Sequence, residues 1–253
     1  MSEQMPAISC ILPTIGRRKA FVGKAVDLFL RQTYPCKELV VVDEVDSRNG
    51  TTCAPAIPIH PDIRYVLLDK LHGGEITVTI GAKRNLACAL ARGDYIAFWD
   101  DDDWYGEDRL ARQVAPLLTG DADISGLTMD AVFHLPAWRM WRCSQQLQRE
   151  IFQMGVHGGT LLFRKGLWGS HAAFKNISSG EDGAFLRQVV EQGARLVQIP
   201  NDGDFVYIRH ESDWPLPPNN QYPSMHQWQE VPPIGGLPPA DLMFYAGLVP
   251  ALR

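Results

Sequence analysis

Apolar positions along this chain alternate between two rhythms. Ala7 to Thr14, AISCILPT, is a short apolar run broken by Pro13 and Gly16, the pattern of a buried strand leading into a loop. From about Lys19 to Gln32 the period becomes helical, with Phe21, Val22, Ala25, Val26, Phe29 and Leu30 on one face. Apolar runs return at Glu38 to Glu44 and Ile63 to Asp69. After Gly73-Gly74 a helical stretch extends from about Ile80 to Ala91 and closes at Gly93. Tyr95 to Trp99 is a fourth strand. Strands apolar on both faces and alternating with helices predict an α/β domain, its mostly parallel central sheet flanked by helices. Ligands of such sheets gather at the carboxyl ends of strands, where Asp43 and Asp100 stand.

The second half is less regular. Gly158 to Arg164 and the segments RLVQIP and DFVYIRH read as strands, and Glu181 to Gln192 as a helix closed by Gly193. From Trp214 onward nine of the 18 prolines fall within the last 39 residues, which argues against long helices or central strands there. The aromatics Trp214, Tyr222, Trp228, Phe244 and Tyr245 predict that this Pro-rich C-terminal extension, residues 214–253, packs on a domain formed by residues 1–213.

Composition narrows the partners. A chain of 253 residues with 45% hydrophobic content can bury one large core. With 24 Lys+Arg against 29 Asp+Glu the net charge is −5, which disfavours nucleic acid, a partner that needs a basic face. No run approaches the ~18–20 apolar residues of a membrane span, and MSEQMPAISC lacks the apolar core of a signal peptide. The expectation is a cytoplasmic protein, with peripheral attachment to a membrane left open. Five scattered cysteines without zinc-ligand spacing predict free, mostly buried thiols.

The candidate chemistry lies in YIAFWDDDDWYGEDRL, Tyr95 to Leu110. Consecutive aspartates at the mouth of an apolar run repel one another, so a positive charge must offset them. One reading is a solvated acidic turn capping a helix that starts near Glu107. A calcium loop fails, because counting from Asp101 or Asp100 puts Arg112 or Ala111 where the twelfth position needs Glu. The third reading is a Mg²⁺ or Mn²⁺ site that holds a diphosphate, since such ions take carboxylate oxygens and leave positions for phosphate. An extended chain would turn Asp100 and Asp102 to one side.

FWDDDDW after a strand resembles the "FLDxDD" signature of family 2 glycosyltransferases, enzymes of the Rossmann-like GT-A fold. Other segments agree in order. ISCILPTIGRR is similar to a first strand ending in "PTYNR", and FLRQTYPCKELVVVDEVDS to "SLLxQTYPxxEIIVVDDGS". GAKRNLACALARGDYIAFWDDDD resembles "GxxxARNxGxxxAxGEYIxFLDxDD", and SSGEDGAFLRQVVEQGARL resembles "GEDxxFxxRLxxxGxxx". The resemblance spans about Ile8 to His210. It implies a nucleotide-sugar half over about residues 1–105 and an acceptor half over about 106–213.

The resemblance also implies roles. Asp43 matches the aspartate that reads the base; Glu44 stands where a second aspartate is usual, and Val45 where glycine is. Arg84, with Lys83, would face the nucleotide, and Thr14 and Arg17 would touch base or ribose. Asp100 matches the first D-x-D aspartate and Asp101 the variable position, both on the nucleotide-sugar side. Asp102 would ligate Mn²⁺ or Mg²⁺, joined by His210. Asp182 is the first choice for general base and Glu181 the second. His157 reads as structural. The implied activity is metal-dependent, inverting transfer from a nucleotide-sugar, UDP-sugar favoured, to an acceptor hydroxyl of a glycan, lipid-linked sugar, protein or small molecule. Clustered aspartates also suit a metal-dependent phosphohydrolase or nucleotidyltransferase, and a non-catalytic nucleotide-sugar-binding protein could keep the fold.

Overall fold

The computed structural model describes residues 5–68, 78–128, 131–144, 146–147, 153–170, 172–210, 228–233 and 237–252. Asp69, Gly73-Gly74, Trp214 and Tyr222 lie outside the described residues. The first half alternates as its pattern predicts: β1 (Ile8–Pro13), α1 (Lys19–Leu30), β2 (Lys37–Glu44), β3 (Ile63–Leu68), α2 (Ile80–Leu90) and β4 (Tyr95–Phe98). Then follow β5 (Trp104–Tyr105), α3 (Arg109–Leu118), β6 (Ile124–Leu127), β7 (Ala131–His134), β8 (Arg139–Cys143) and β9 (Leu162–Arg164). The chain continues through α4 (Glu181–Glu191), β10 (Leu196–Ile199), β11 (Phe205–Arg209), β12 (Trp228–Val231) and α5 (Pro239–Leu252).

Seven strands form the main sheet in the order β10-β6-β9-β4-β1-β2-β3. β1 pairs in parallel with β2 and β4, as do β2 with β3 and β10 with β6; only β9 is antiparallel to its neighbours β4 and β6. Successive side chains on β1 and β2 enter opposite cores. Ile8, Cys10, Leu12, Leu39 and Val41 pack with α1 and α3, while Ile11, Val40 and Val42 pack with α2 and α4. This two-sided burial explains why the strands read as continuous apolar runs. On α1 the buried face takes Leu28 and leaves Leu30 38% exposed. Leu28 continues the i, i+4, i+7 stripe from Phe21 and Ala25, and Leu30 falls off it. The strand order reverses at β1, with β2 on one side and β4 on the other. That is a topological switch point, where a crevice opens at the strands' carboxyl ends.

A second sheet, in the order β12-β8-β7-β11-β5, draws strands from segments far apart in the chain. Its outermost strand, β12, pairs antiparallel with β8 and comes from the Pro-rich extension. The expectation that this extension holds no long helix is overturned by α5, which spans 14 residues. Its prolines stand at the ends, Pro239 in the first position and Pro250 in the last turn, so Ala240 to Val249 is an uninterrupted helical stretch. Tyr245 and Trp228 are buried against the domain. All five cysteines are free thiols, and four of them are buried. Among the described residues no helix is long and apolar enough to cross a membrane.

Candidate active site

The switch-point crevice is a cleft of about 730 Å³. Thr14, Arg17 and Arg18 reach it from the loop after β1, and Lys83 and Arg84 from α2. Asp100 to Asp103 enter from the end of β4. The facing wall consists of His157, Gly158, Gly159, Ser178 to Asp182, Tyr207 and Arg209.

The chain does not stay extended after β4, which corrects the alternation argument for Asp100 and Asp102. The strand stops at Phe98 and Asp101 to Asp103 form a bend. The four carboxylates therefore fan out to four sets of partners. Asp100 accepts from Arg84 Nη2 (2.8 Å). Asp101 accepts from Thr14 Oγ1 (2.5 Å) and Arg18 Nη1 (3.1 Å). Asp102 accepts from Arg18 Nη1 (2.5 Å) and His210 Nε2 (3.0 Å). Asp103 accepts from the backbone N–H of Ile208 (2.9 Å), which ties the bend to β11. The positive charges that the sequence required are two guanidiniums.

Their protonation follows from these surroundings. Burial raises the Asp100 carboxyl although Arg84 draws it down, and burial lifts Asp101 to about 6 against the pull of Arg18. Burial, then the charges of Asp102 and Asp100, push Asp103 well above the carboxylate range. Burial acts the same way on Asp102, but Arg18 and His210 outweigh it and hold that carboxyl below its ordinary range. Asp102 is the aspartate that stays ionised most firmly.

Arg84 joins the two halves of the cleft. Its Nη1 reaches Glu181 Oε1 (2.6 Å) while Nη2 holds Asp100, and the guanidinium lies 4.0 Å from the centre of the Phe98 ring. Burial raises the Glu181 carboxyl, opposed by Arg84. Asp182, the next residue, lines the cleft half-buried and accepts from the N–H of Gly183 in its own helix (2.6 Å). Acidic residues in this first turn also face the positive end of α4. Lys83 forms a buried pair with Glu44 (2.8 Å) and donates to the Thr14 carbonyl (2.8 Å).

Two predicted residues stand outside the cleft lining. Asp43 is fully buried; one oxygen accepts from the N–H of Cys53 (2.6 Å) and the hydroxyl of Tyr65 (2.7 Å), and Oδ1 has no partner among the described residues. His210 stands behind Asp102, its ring 4.8 Å from that of Phe21 on α1. Sequence reasoning missed Arg18, choosing its neighbour Arg17, and missed the turn His157-Gly158-Gly159. A Cβ on Gly158 would fall 1.7 Å from Asp182 Oδ2, and one on Gly159 2.7 Å from Asp100 Oδ2. The Gly-Gly pair before a strand was the available signal, since glycine marks close approach to a backbone. His157 is a buried neutral imidazole, its basicity lowered by burial to about 4 against the charge of Asp182.

Among the described residues no group of three or more His, Cys, Asp or Glu is gathered to hold a metal ion. Asp102 Oδ2 and His210 Nε2, 3.0 Å apart, are nonetheless a carboxylate–imidazole pair of the kind that suits Mn²⁺. With Asp102 on the cleft and His210 directly behind it, such an ion would take its remaining positions from phosphate oxygens, so the residues fit a substrate-completed ion.

A parallel sheet with a carboxylate-lined cleft at its switch point, faced by an acidic helix start, is the architecture of GT-A transferases. Solved structures agree. The S. aureus TarS fragment 1-349 in complex with UDP-GlcNAc superposes with a TM-score of 0.59 at 18% identity, covering 82% of this chain and 60% of that one. A mannosyltransferase from Pyrobaculum calidifontis, in complex with GDP-Man and Mn²⁺, gives 0.54 at 21% identity, covering 82% and 57%. The profile of "Glycosyl transferase family 2" matches residues 9–168, well over half of the chain, and the protein belongs to that family. Curated relatives include the succinoglycan biosynthesis protein ExoO of Rhizobium meliloti, 28% identical over 130 residues, 51% of this chain and 35% of the relative. The putative teichuronic acid biosynthesis glycosyltransferase TuaG of Bacillus subtilis is 27% identical over 148 residues, 54% of this chain and 56% of the relative. The chain thus spans only part of the length of the relatives it matches.

Proposed function

We propose that the chain is a metal-dependent, inverting glycosyltransferase that moves a sugar from a nucleotide-sugar to an acceptor hydroxyl in the cytoplasm. The observation that carries this reading is that Asp102, backed by His210, and Asp182 meet at one cleft of about 730 Å³, a volume suited to a ligand of nucleotide-sugar size. Neighbours that hold UDP-GlcNAc, or GDP-Man with Mn²⁺, support a nucleotide-sugar donor, with a UDP-sugar favoured. The names of the curated relatives favour a glycan as acceptor.

In this reading Asp102 and His210 hold Mn²⁺ or Mg²⁺. Bound there, the ion offsets the charge that gathers on the departing diphosphate. Thr14, Arg17, Lys83, Asp100 and Asp101 surround the donor, and Asp43, enclosed outside the cleft lining with one oxygen unpartnered, would have to be uncovered to read the base. Arg84 holds Asp100 and Glu181 in register. Because Glu181 is committed to Arg84 while Asp182 faces the cleft, Asp182 is the general base that takes the acceptor's proton as the hydroxyl attacks the anomeric carbon.

The test combines binding and turnover. UDP, GDP, dTDP and CDP are compared as thermal stabilisers with and without Mn²⁺, and transfer is followed as release of nucleoside diphosphate. One nucleotide is expected to stabilise only with metal. Asp182→Asn is expected to lower transfer by at least about 100-fold with donor binding nearly intact. No stabilisation by any nucleotide, or equal loss of binding and transfer in Asp182→Asn, would overturn the respective assignment.

A further inference from the structure

Arg18 ends the short turn Gly16–Arg18 between β1 and α1. Its Nη1 bridges Asp102 Oδ2 and Asp101 Oδ1, and the same Asp102 oxygen also receives His210 Nε2. The oxygen assigned above to a divalent ion is therefore already bound by a guanidinium.

We propose that Arg18 is the resident counter-cation of the donor site: it neutralises Asp101 and Asp102 while the cleft is empty, then yields Asp102 to the divalent ion and moves onto the donor's diphosphate. The inference rests on the transferase reading. Three observations carry it. A guanidinium and a divalent ion on one carboxylate oxygen repel each other strongly in a partly buried site, so the ion enters only as Arg18 withdraws. Arg18 can withdraw, because its side chain is 25% exposed and lines the cleft. Arg84, the other cation on the aspartates, has a side chain only 4% exposed and is held between Asp100 and Glu181. A diphosphate in the same cleft offers the withdrawn arginine a better partner, since the planar fork of a guanidinium matches phosphate oxygens in pairs.

This exchange couples ion to nucleotide. An ion arriving alone must take Asp102 from Arg18 with no anion offered in exchange, whereas one arriving with a diphosphate gives Arg18 a new anion. Binding of Mn²⁺ alone should therefore be weak, and binding in the presence of UDP should be tight.

The experiment follows Mn²⁺ binding by electron paramagnetic resonance, with and without saturating UDP, for wild type, Arg18→Ala and Arg18→Gln. Thermal melting confirms that each variant is folded, and either variant alone decides the matter. Without UDP, removal of the guanidinium should tighten Mn²⁺ binding by about tenfold or more. With UDP the order should reverse, the variants binding Mn²⁺ about tenfold more weakly than wild type. If the variants bind Mn²⁺ alone no better than wild type, or if the order does not reverse with UDP, the exchange is overturned. Tight Mn²⁺ binding by wild type in the presence of UDP would then leave the transferase reading standing. If wild type takes up neither Mn²⁺ nor UDP, both fall together.

Discussion

Asp102, half-buried, and Asp241, fully enclosed, are both carboxylates held below their ordinary range, and they are held in opposite ways. Asp241, on α5, is 1% exposed and lies away from the cleft. Burial works to raise it, but Lys24, Trp104 and Arg31 outweigh that cost. Lys24 approaches from α1 and Arg31 from the residue that caps its end, Arg31 Nη2 at 2.9 Å, and Trp104 Nε1 approaches from β5 at 2.7 Å. Asp102 instead opens on the cleft, its side chain 19% exposed against 1% for Asp241. A buried carboxylate must be compensated in either place; full enclosure makes the compensation permanent, and an opening makes it exchangeable. The two clusters are also connected. The fixed one clamps α1, which begins beside Arg18, to β5, which follows the aspartate run directly.

The sharpest way to break this comparison is Asp241→Ala. It leaves Lys24 and Arg31 without their shared buried anion and should lower the free energy of unfolding by about 3–5 kcal/mol, read by urea denaturation. A variant as stable as wild type would mean that the enclosed cluster is no lock.

A pH series separates a buried neutral group of the cleft wall from both clusters. His157 sits at about 4 in the folded protein against an unfolded value of 6.5. As pH falls from 6.5 toward 4 the unfolded chain takes the proton first, so this group costs up to about 3 kcal/mol of stability across that window. Asp101, raised to about 6, acts the other way, gaining stability as pH falls through 6. The difference between wild type and His157→Asn isolates the histidine, because asparagine can still accept from the Gly159 N–H. That difference should shrink as pH drops from 6.5 to 4; a constant difference would place His157 in contact with solvent.

The smallest effect on the bare fold is expected from Asp102→Ala. It removes a repulsion together with two partners and should leave unfolding within about 1 kcal/mol of wild type. It should nonetheless erase the stabilisation by Mn²⁺ with UDP, about 2.7 kcal/mol for a ligand at 100 times its dissociation constant, measured by thermal shift. Retained stabilisation would remove Asp102 from the ion site.

The first half was legible because its strands are buried on both faces and its helices on one. β1, α1, β2, β3, α2 and β4 all lie within a residue or two of their predicted bounds. Of the second sheet only β11, read from DFVYIRH, was legible. β5 has two residues, and β8 reads RMWRC with exposed arginines at positions 139 and 142, so neither carries a period long enough to recognise. The helix α5 was hidden by counting prolines without asking where in a helix they would fall.

The same division runs through the site. Sequence determined which chemistry was available: an acidic run at a strand end, a basic pair on the helix before it, an acidic pair at a later helix start. Those groups are local in the chain, and their spacing is written in it. Which charge meets which was decided only by the tertiary structure. Arg18 rather than Arg17 reaches the aspartates, Arg84 spans from Asp100 to Glu181, and Asp182 is left facing the cleft. The physical reason is that Arg18 stands 83 and 84 positions from the two aspartates it meets, and Arg84 stands 97 from Glu181. Charge pairing acts over a few ångströms, and only the packed sheet and helices bring such residues within that reach.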